Sequence, residues 1–159
     1  MYKPRMLNIG IVVFGLLFLT ACDNGRVFEA NVAINNNEWN IKQVVKLEVP
    51  VSDNLTKNNL YINVRNGGSY SYSNLFLFIT TTMPGGKKIT DTLECILADE
   101  NGKWLGKGTG HIVDNRVPFK RNVIFPDTGK YTFEIEQAMR MEKLPEVYDI
   151  GLRIEKVKN

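Results

Sequence analysis

The alternation of apolar and polar residues is the feature that most constrains the fold of this chain. Side chains of a β-strand point alternately to the two faces of a sheet, so a period of two marks a strand with one buried face. Seven segments have this period: 28–34, 45–51, 60–64, 93–97, 119–125, 131–135 and 150–154. Because most of the patterned sequence has this period, we expect an all-β domain.

Turn-forming residues separate these segments, at Asn35-Asn36-Asn37, Asn66-Gly67-Gly68, Pro84-Gly85-Gly86, Asn101-Gly102 and Asp127-Thr128-Gly129. Residues 75–79 are apolar at every position, which predicts a central strand covered on both faces. The pattern predicts about eight or nine strands in an antiparallel β-sandwich, Ig-like or jelly-roll-like. A sheet that closes on itself is the structural alternative. The one helical candidate is a short turn over residues 137–144, before Pro145.

The first 22 residues have the three regions of a secretory signal peptide. Lys3 and Arg5 form a basic start, residues 9–19 form an apolar run, and Leu19-Thr20-Ala21-Cys22 forms the exit. The run is shorter than the roughly 20 residues of a transmembrane helix. Leu19-Thr20-Ala21-Cys22 also resembles the lipobox of bacterial lipoproteins. That resemblance implies cleavage before Cys22 and a covalent N-acyl and S-diacylglycerol lipid on this residue.

We therefore divide the chain into three parts. Residues 1–21 are the lipoprotein signal peptide, 22–27 the lipidated N-terminus with a short tether, and 28–159 the β-sandwich domain. At ~3.3–3.6 Å per residue, the domain begins within roughly 20 Å of the membrane. The expected location is the cell envelope, with the lipid in the periplasmic leaflet of the outer or the inner membrane.

The charge and the cysteine content reduce the number of possible functions further. The chain has 20 Lys and Arg against 17 Asp and Glu, and loss of Lys3 and Arg5 with the signal leaves the mature protein almost neutral. Acids and bases are interspersed, which argues against a nucleic-acid partner. With Cys22 committed to lipid, Cys95 has no partner for an intrachain disulfide, and we expect a buried side chain there.

Catalytic and metal-binding patterns are missing from the sequence. His111 is the one histidine, and none of the serines lies in a Gly-x-Ser-x-Gly motif. Residues 99–102 predict a hairpin turn rather than a calcium loop, since the alternating acidic ligands are lacking. We expect no enzyme, no catalytic residue, no metal site, no cofactor besides the lipid and no small-molecule substrate.

The segment from Trp104 to Val113 has glycine at positions 106, 108 and 110. In a strand these glycines would share one bare face, which an aromatic ring or another backbone can approach closely. We expect Trp104 or a neighbouring aromatic ring to lie over the glycines. The functional alternative is a flat groove for a sugar ring or a partner strand.

Six residues are candidates for partner binding. Tyrosine, tryptophan, arginine and methionine are enriched in the cores of protein interfaces, and here such residues cluster in two loops, one of which adds Met139 and Met141. A purely structural interpretation, in which the tyrosines cap the sandwich and the methionines fill gaps, stays equally open. The candidates are Arg65, Tyr70, Tyr72, Asn74, Trp104 and Arg140.

Several short motifs occur in a fixed order along the mature chain. They are Asn63-Val64-Arg65-Asn66, Tyr70-x-Tyr72-x-Asn74-Leu75, Asp91-Thr92-Leu93-Glu94, Leu97-Ala98-Asp99, Gly102-Lys103-Trp104-Leu105-Gly106-Lys107-Gly108, Gly129-Lys130-Tyr131, Gln137-Ala138-Met139-Arg140 and Asp149-Ile150-Gly151-Leu152-Arg153-Ile154. In this order they resemble the GldH family of gliding motility lipoproteins. The tyrosine pair lacks an expected proline, and Pro145-Glu146 replaces an expected glycine turn.

This resemblance implies a membrane-anchored envelope lipoprotein that is required for gliding motility. It would act as a non-catalytic scaffold of the motility and adhesin-secretion machinery, with the membrane and other machinery proteins as partners. The one family position that carries over is Cys22. We expect substitutions of Arg65, Tyr72 and Arg140 to stop cell spreading without lowering protein level. The alternatives are a glycan-binding envelope module that uses an aromatic face around Trp104, and a hydrolase that uses His111.

Overall fold

Ten β-strands make up most of the described structure, a computed structural model that covers residues 25–108 and 110–158. The signal peptide and Cys22 lie outside the described residues. A 3₁₀ turn at Asn35–Asn37 lies between β1 and β2. The strands are β1 Arg26–Ala33, β2 Glu38–Asn40, β3 Val45–Val51, β4 Asn58–Gly67, β5 Asn74–Thr82, β6 Lys88–Ile96, β7 Ile112–Val123, β8 Gly129–Gln137, β9 Lys143–Pro145 and β10 Val147–Lys156.

The strands form two four-stranded sheets and one small sheet. The first sheet has the order β1-β10-β4-β7, and the second sheet has the order β3-β8-β5-β6. Strands β2 and β9 pair with each other as a separate cap sheet. All of these pairs are antiparallel, and their registers align apolar residues across strands, as where Leu152 lies opposite both Ala30 and Ile62. The predicted all-β antiparallel sandwich is confirmed.

The hydrophobic core lies between the inner faces of the two large sheets. Ile62 and Leu152 of the first sheet and Leu77 and Ile135 of the second are each fully buried. Ile62, Leu152 and Ile135 occupy apolar positions of the period-two pattern, so that pattern identified the inner faces of their strands correctly. Cys95 is also buried, as expected, and burial together with Glu94 raises the pKa of its thiol to about 12.

The cap sheet closes one end of the sandwich. Trp39 of β2 and Leu144 of β9 lie opposite each other and are both fully buried. The indole N–H of Trp39 donates to the backbone oxygen of Gln43 over 2.8 Å, which satisfies the one polar atom that the ring buries. The helical turn predicted for residues 137–144 is wrong. Residue 137 ends β8, residues 138–142 form a loop, and β9 then places Leu144 in the core.

The prediction for residues 75–79 is half correct. Strand β5 is central in the second sheet, between β8 and β6, and Leu75, Leu77 and Ile79 point into the core. The opposite face carries Phe76 and Phe78, and Phe78 is 44% exposed. No described element covers this outer face, so the apolar run marks a strand with one buried face and a partly exposed aromatic row on the other.

Candidate partner-binding surface

A cleft of about 480 Å³ lies where the beginning of β5 meets the loop after β8. We call it the Tyr72 cleft. The loop before β5 supplies one side, the outer face of β5 the floor, and the loop after β8 the other side. Its lining residues are Tyr72, Asn74, Phe76, Ala138, Met139, Arg140 and Met141.

The loop after β8 is held in place by the side chain of Gln137. This side chain is buried, its amide N–H donates to the backbone oxygen of Met141 over 2.8 Å, and its oxygen accepts from the backbone N–H of Met139 over 2.9 Å. The backbone N–H of Ala138 donates to the oxygen of Phe76, which ties the loop to β5. These bonds replace those of a helical turn and fix the cleft wall without regular structure.

Both methionine sulfur atoms of the loop accept hydrogen bonds, one from the opposite side of the cleft and one from its floor. The hydroxyl of Tyr72 donates to Sδ of Met141, and the backbone N–H of Phe76 donates to Sδ of Met139 over 3.4 Å. Sulfur is a weak acceptor, so these donors are only weakly satisfied. The methyl groups and the Phe76 ring give the cleft an apolar floor with polar groups at its rim.

Tyr70 and Trp104 lie behind Tyr72 rather than in the cleft. The ring of Tyr70 packs edge-on against Tyr72 at 5.7 Å and lies 6.4 Å from Trp104. Its hydroxyl donates to the backbone oxygen of Asn74 over 3.0 Å, and burial raises the pKa of this phenol. Trp104 is half-buried against the core. Tyr70 therefore supports the Tyr72 ring from behind, and Trp104 packs against Tyr70.

Arg140 is exposed at the rim, and no described side chain forms an ion pair with it. Asn74, across the cleft, donates to Glu94 over 2.7 Å. Three of the six predicted residues, Tyr72, Asn74 and Arg140, thus meet at one cleft although 66 positions separate Asn74 from Arg140 in the sequence.

Arg65 lies on a different surface, the outer face of the first sheet. A larger cleft of about 610 Å³ lies there, which we call the charged cleft. The Arg65 guanidinium bonds Asp114 over 2.6 Å and Asp149 over 3.1 Å, and the hydrogen bond to Asp114 raises its pKa despite the opposing effect of burial. The charged cleft is lined by Glu29, Asn31, Asn63, Val64, Arg65, Leu105, Gly106, Lys107, Asp114, Asn115, Arg116 and Asp149.

A second ionic cluster overlaps the charged cleft, since Glu29 and Arg116 line that cleft. Arg153 of β10, only 4% exposed, contacts Glu29 of β1 and bonds Glu155 over 2.5 Å. Burial would raise the pKa of Glu29, but hydrogen bonds from Asn63 and Arg153 outweigh it and lower this pKa. Arg116 lies within 4.0 Å of Glu29 and 3.4 Å of Glu155. Charges on this face are therefore mainly matched by charges on neighbouring strands.

Two of the glycines after Trp104, Gly106 and Gly108, allow close backbone contact, whereas nothing lies within 4 Å of a Cβ added at Gly110. The backbones of Lys107 and Asp114 bond each other in both directions, which adds a short stretch to the edge of β7. A Cβ at Gly106 would lie 2.6 Å from the Asp114 backbone oxygen, and one at Gly108 would overlap that of Ile112. The prediction that an aromatic ring covers the glycines is wrong. Instead, the backbone of β7 lies close to Gly106 and Gly108.

The sequence interpretation missed Phe76, Ala138 and Gln137. A signal for Gln137 was present, because it continues the inward positions Tyr131, Phe133 and Ile135 of β8. A polar residue at an inward position needs hydrogen-bond partners, and here it finds them in the following loop.

Residues considered for chemistry lie apart from both clefts. His111 is exposed before β7, and its backbone oxygen accepts from Gly68 N–H over 2.6 Å. Residues 99–102 form the predicted turn, since Asp99 Oδ1 accepts from the N–H groups of Asn101 and Lys103. Within residues 25–108 and 110–158, no three His, Cys, Asp or Glu side chains gather as metal ligands. The same residues include no helix long and apolar enough to cross a bilayer.

Comparison with known proteins agrees with the motif order found in the sequence. The family model described as GldH lipoprotein matches residues 26–154, nearly all of the sandwich. The chain belongs to the GldH lipoprotein family. The gliding motility lipoprotein GldH homolog of Christiangramia forsetii is 37% identical over 159 residues, 96% of this chain and 97% of that protein. The gliding motility lipoprotein GldH of Flavobacterium johnsoniae is 34% identical over 158 residues, 95% and 98% of the two chains.

Similarity to solved structures is weaker. The structure of TmCBM61 in complex with β-1,4-galactotriose covers 86% of this chain and 92% of its own, with a TM-score of 0.34 and 10% identity. A TM-score of this size supports no conclusion about the fold or the ligand of this GldH family member.

Proposed function

We propose that this protein is a lipid-anchored accessory component of a gliding motility machinery and that it binds another protein of that machinery through the Tyr72 cleft. The family and the names of two full-length relatives support the motility role. The Cys22 lipid holds the protein at an envelope membrane. The sandwich acts as a non-catalytic scaffold that presents the cleft.

The observation that carries this proposal is the convergence of interface-type residues at one site. Tyr72 and Arg140 are of residue types enriched among binding hot spots, and Met139 and Met141 add an adaptable apolar surface. Arg140 has no ionic partner among the described residues, so an acidic or carbonyl group of a partner could bond it at little cost to existing contacts. The same observation supports a binding rather than a catalytic role, because Tyr72 and Arg140 are the titratable residues that line the cleft.

Seven residues line the cleft, whereas a stable interface involves about 20–30 residues on each partner. The contact must therefore extend beyond the cleft. The outer face of the second sheet is adjacent, and Phe78 and Ile96 are exposed there. We expect the cleft to hold the central anchor and this face to supply the surrounding contact.

Photo-crosslinking in cells tests the proposal. A photoreactive amino acid replaces Met141 in the Tyr72 cleft or, as a matched control, Leu105 at the charged cleft, which are 38% and 58% exposed. The expected result is a specific envelope protein crosslinked from position 141 and not from position 105. The product should disappear when Arg140→Glu is added.

Equal products from both positions, or a product from 141 that survives Arg140→Glu, would show that the cleft is not the contact. Deletion of the protein should also stop colony spreading. A deletion strain that spreads normally would contradict the motility role itself.

A further inference from the structure

The described chain begins at one end of the sandwich, close in sequence to the proposed site of lipid attachment. The backbone N–H of Lys156 donates to the oxygen of Gly25 over 2.8 Å, so the described chain begins where β10 ends. Gly25 is three residues after Cys22, a reach of about 10 Å. We call this the anchor end. It consists of residues 26, 51–58, 82–88, 123–129 and 156–158, which the strand registers bring together.

The anchor end is basic. Its described residues include six cationic side chains against two acidic ones, Asp53 and Asp127. The opposite end, which consists of residues 33–45, 67–74, 96–112 and 137–147, has five Lys and Arg against five Asp and Glu among its described residues. The almost neutral mature chain thus has an uneven charge distribution. The cationic residues of the anchor end are Arg26, Lys57, Lys87, Lys88, Lys156 and Lys158.

A leucine projects from the anchor end. Leu55 is 83% exposed, the largest fraction among the large hydrophobic side chains described. Its loop is ordered by Asp53, whose carboxylate accepts from Leu55 N–H over 2.9 Å, from Thr56 N–H over 3.1 Å and from the Thr56 hydroxyl over 2.6 Å. These three bonds fix the loop, and the apolar side chain of Leu55 lies outside the core, exposed to solvent. Ile124, in another loop of this end, is 47% exposed.

We propose that the anchor end is a membrane-contact surface that binds the anionic phospholipid headgroups of the bilayer, with Leu55 inserted between them. This inference rests on lipidation of Cys22, which is part of the proposed function. Three features point to a bilayer as the occupant: the short reach to Cys22, the excess of cationic side chains, and an exposed leucine on an ordered loop. Together a lipid chain, a basic surface and an apolar side chain are the combination that holds proteins at anionic membranes.

The contact fixes the orientation of the protein. Strands β4 and β10 each span the distance between the anchor end and the opposite end over 10 residues, a length of roughly 33 Å. The Tyr72 cleft lies at the opposite end, since Tyr72 precedes β5 and Arg140 follows β8. A sandwich docked through its anchor end therefore presents the cleft away from the bilayer, where a partner in the aqueous compartment can reach it.

Site-specific fluorescence of the full lipidated chain in vesicles tests the contact. An environment-sensitive thiol label is placed at Leu55→Cys or at Leu105→Cys, a leucine at the opposite end that is 58% exposed. Cys95 is buried with a raised pKa and does not compete for the label. With vesicles of phosphatidylcholine and phosphatidylglycerol, we expect a blue shift and quenching by brominated lipid at position 55 and neither at position 105.

The double variant Lys57→Gln/Lys87→Gln tests the role of charge at the anchor end. Its matched control is Lys42→Gln/Lys103→Gln, which removes two lysines from the opposite end. Each lysine removed from the anchor end should lower the docked-to-undocked ratio at position 55 by about fivefold in anionic vesicles. The control pair should leave the ratio unchanged. In vesicles of phosphatidylcholine alone, the two double variants should differ less in their docked-to-undocked ratio at position 55.

Flotation of the vesicles distinguishes failure of the lipid anchor from failure of the membrane contact. A chain that floats while the labels at 55 and 105 behave alike overturns the membrane contact and leaves the anchor intact. Equal effects of the two lysine pairs, or no dependence on anionic lipid, overturns the role assigned to the basic side chains. A chain that carries no lipid and does not float overturns both the anchor and the contact.

Discussion

The two clefts of this molecule differ in how far their polar groups satisfy one another. In the charged cleft, Arg65 is bonded to two aspartates. Arg116 of the same cleft and the adjacent Arg153 share Glu29 and Glu155. In the Tyr72 cleft, Arg140 has no ionic partner among the described residues, and a sulfur atom accepts from the Tyr72 hydroxyl. A cluster whose charges are already paired with one another stabilises the fold and has few free groups for a ligand. Weakly satisfied groups can bond a partner without breaking strong contacts.

Arg153→Met should have the largest effect on stability. Removal of one partner of a buried ionic cluster leaves the other charges uncompensated, which costs about 3 kcal/mol of unfolding free energy. Urea unfolding of the detergent-solubilised protein, followed by tryptophan fluorescence, measures this cost. Arg140→Met is the matched control and should change the unfolding free energy by less than about 0.5 kcal/mol. Equal losses in the two variants would remove the distinction between the clefts.

The same cluster predicts a dependence on pH. The folded pKa of Glu29 lies below 4.5, so its contribution to stability is complete above that pH and is lost as the pH falls through the folded value. The difference between the parent and Arg153→Met should therefore be largest near neutral pH and shrink under acid conditions. Repeating the unfolding curves at falling pH tests this, and a difference that grows in acid would refute it.

Gly151→Ala should follow, with a loss of about 1–3 kcal/mol from overpacking. A Cβ at Gly151 would lie 2.5 Å from the backbone oxygen of Ala30 and would overlap Asn31, so β1 would have to move away from β10. Gly85→Ala is the control, because no atom lies within 4 Å of the added Cβ. Thermal unfolding of both variants measures the effect. A Gly151→Ala protein as stable as Gly85→Ala would show that β1 adjusts freely.

The sequence predicted the sandwich better than the sites, for a physical reason. Burial of one strand face repeats every two residues, so Tyr131, Phe133 and Ile135 reveal their sheet face locally. The clefts depend on which strands become neighbours, and the order β1-β10-β4-β7 joins residues far apart in the chain. For this reason Tyr72 and Arg140 could be selected by residue type, while the separation of Arg65 from them could not be foreseen.

Arg65→Met should cost about 0.5–1 kcal/mol, because its ion pairs are half exposed and water screens them. The expected crosslink from position 141 should persist in this variant, since Arg65 lies on the other sheet. This outcome would narrow the six candidate residues to those at the Tyr72 cleft. Loss of the crosslink with normal protein level would instead place the charged cleft in the interface.

Arg140→Met should have the smallest effect on stability and the largest on function. Its guanidinium contributes no ion pair among the described residues, so the folded protein loses little when it is replaced. A partner group that bonds it would lose a charge-assisted hydrogen bond, worth about 1.5–3 kcal/mol and thus roughly a tenfold to hundredfold change in affinity. Colony spreading and the crosslink from position 141 should both decrease while protein level stays constant. Arg140→Lys retains the charge and should restore part of the spreading, whereas equal defects in Met and Lys variants would show that the planar guanidinium, rather than charge alone, is recognised.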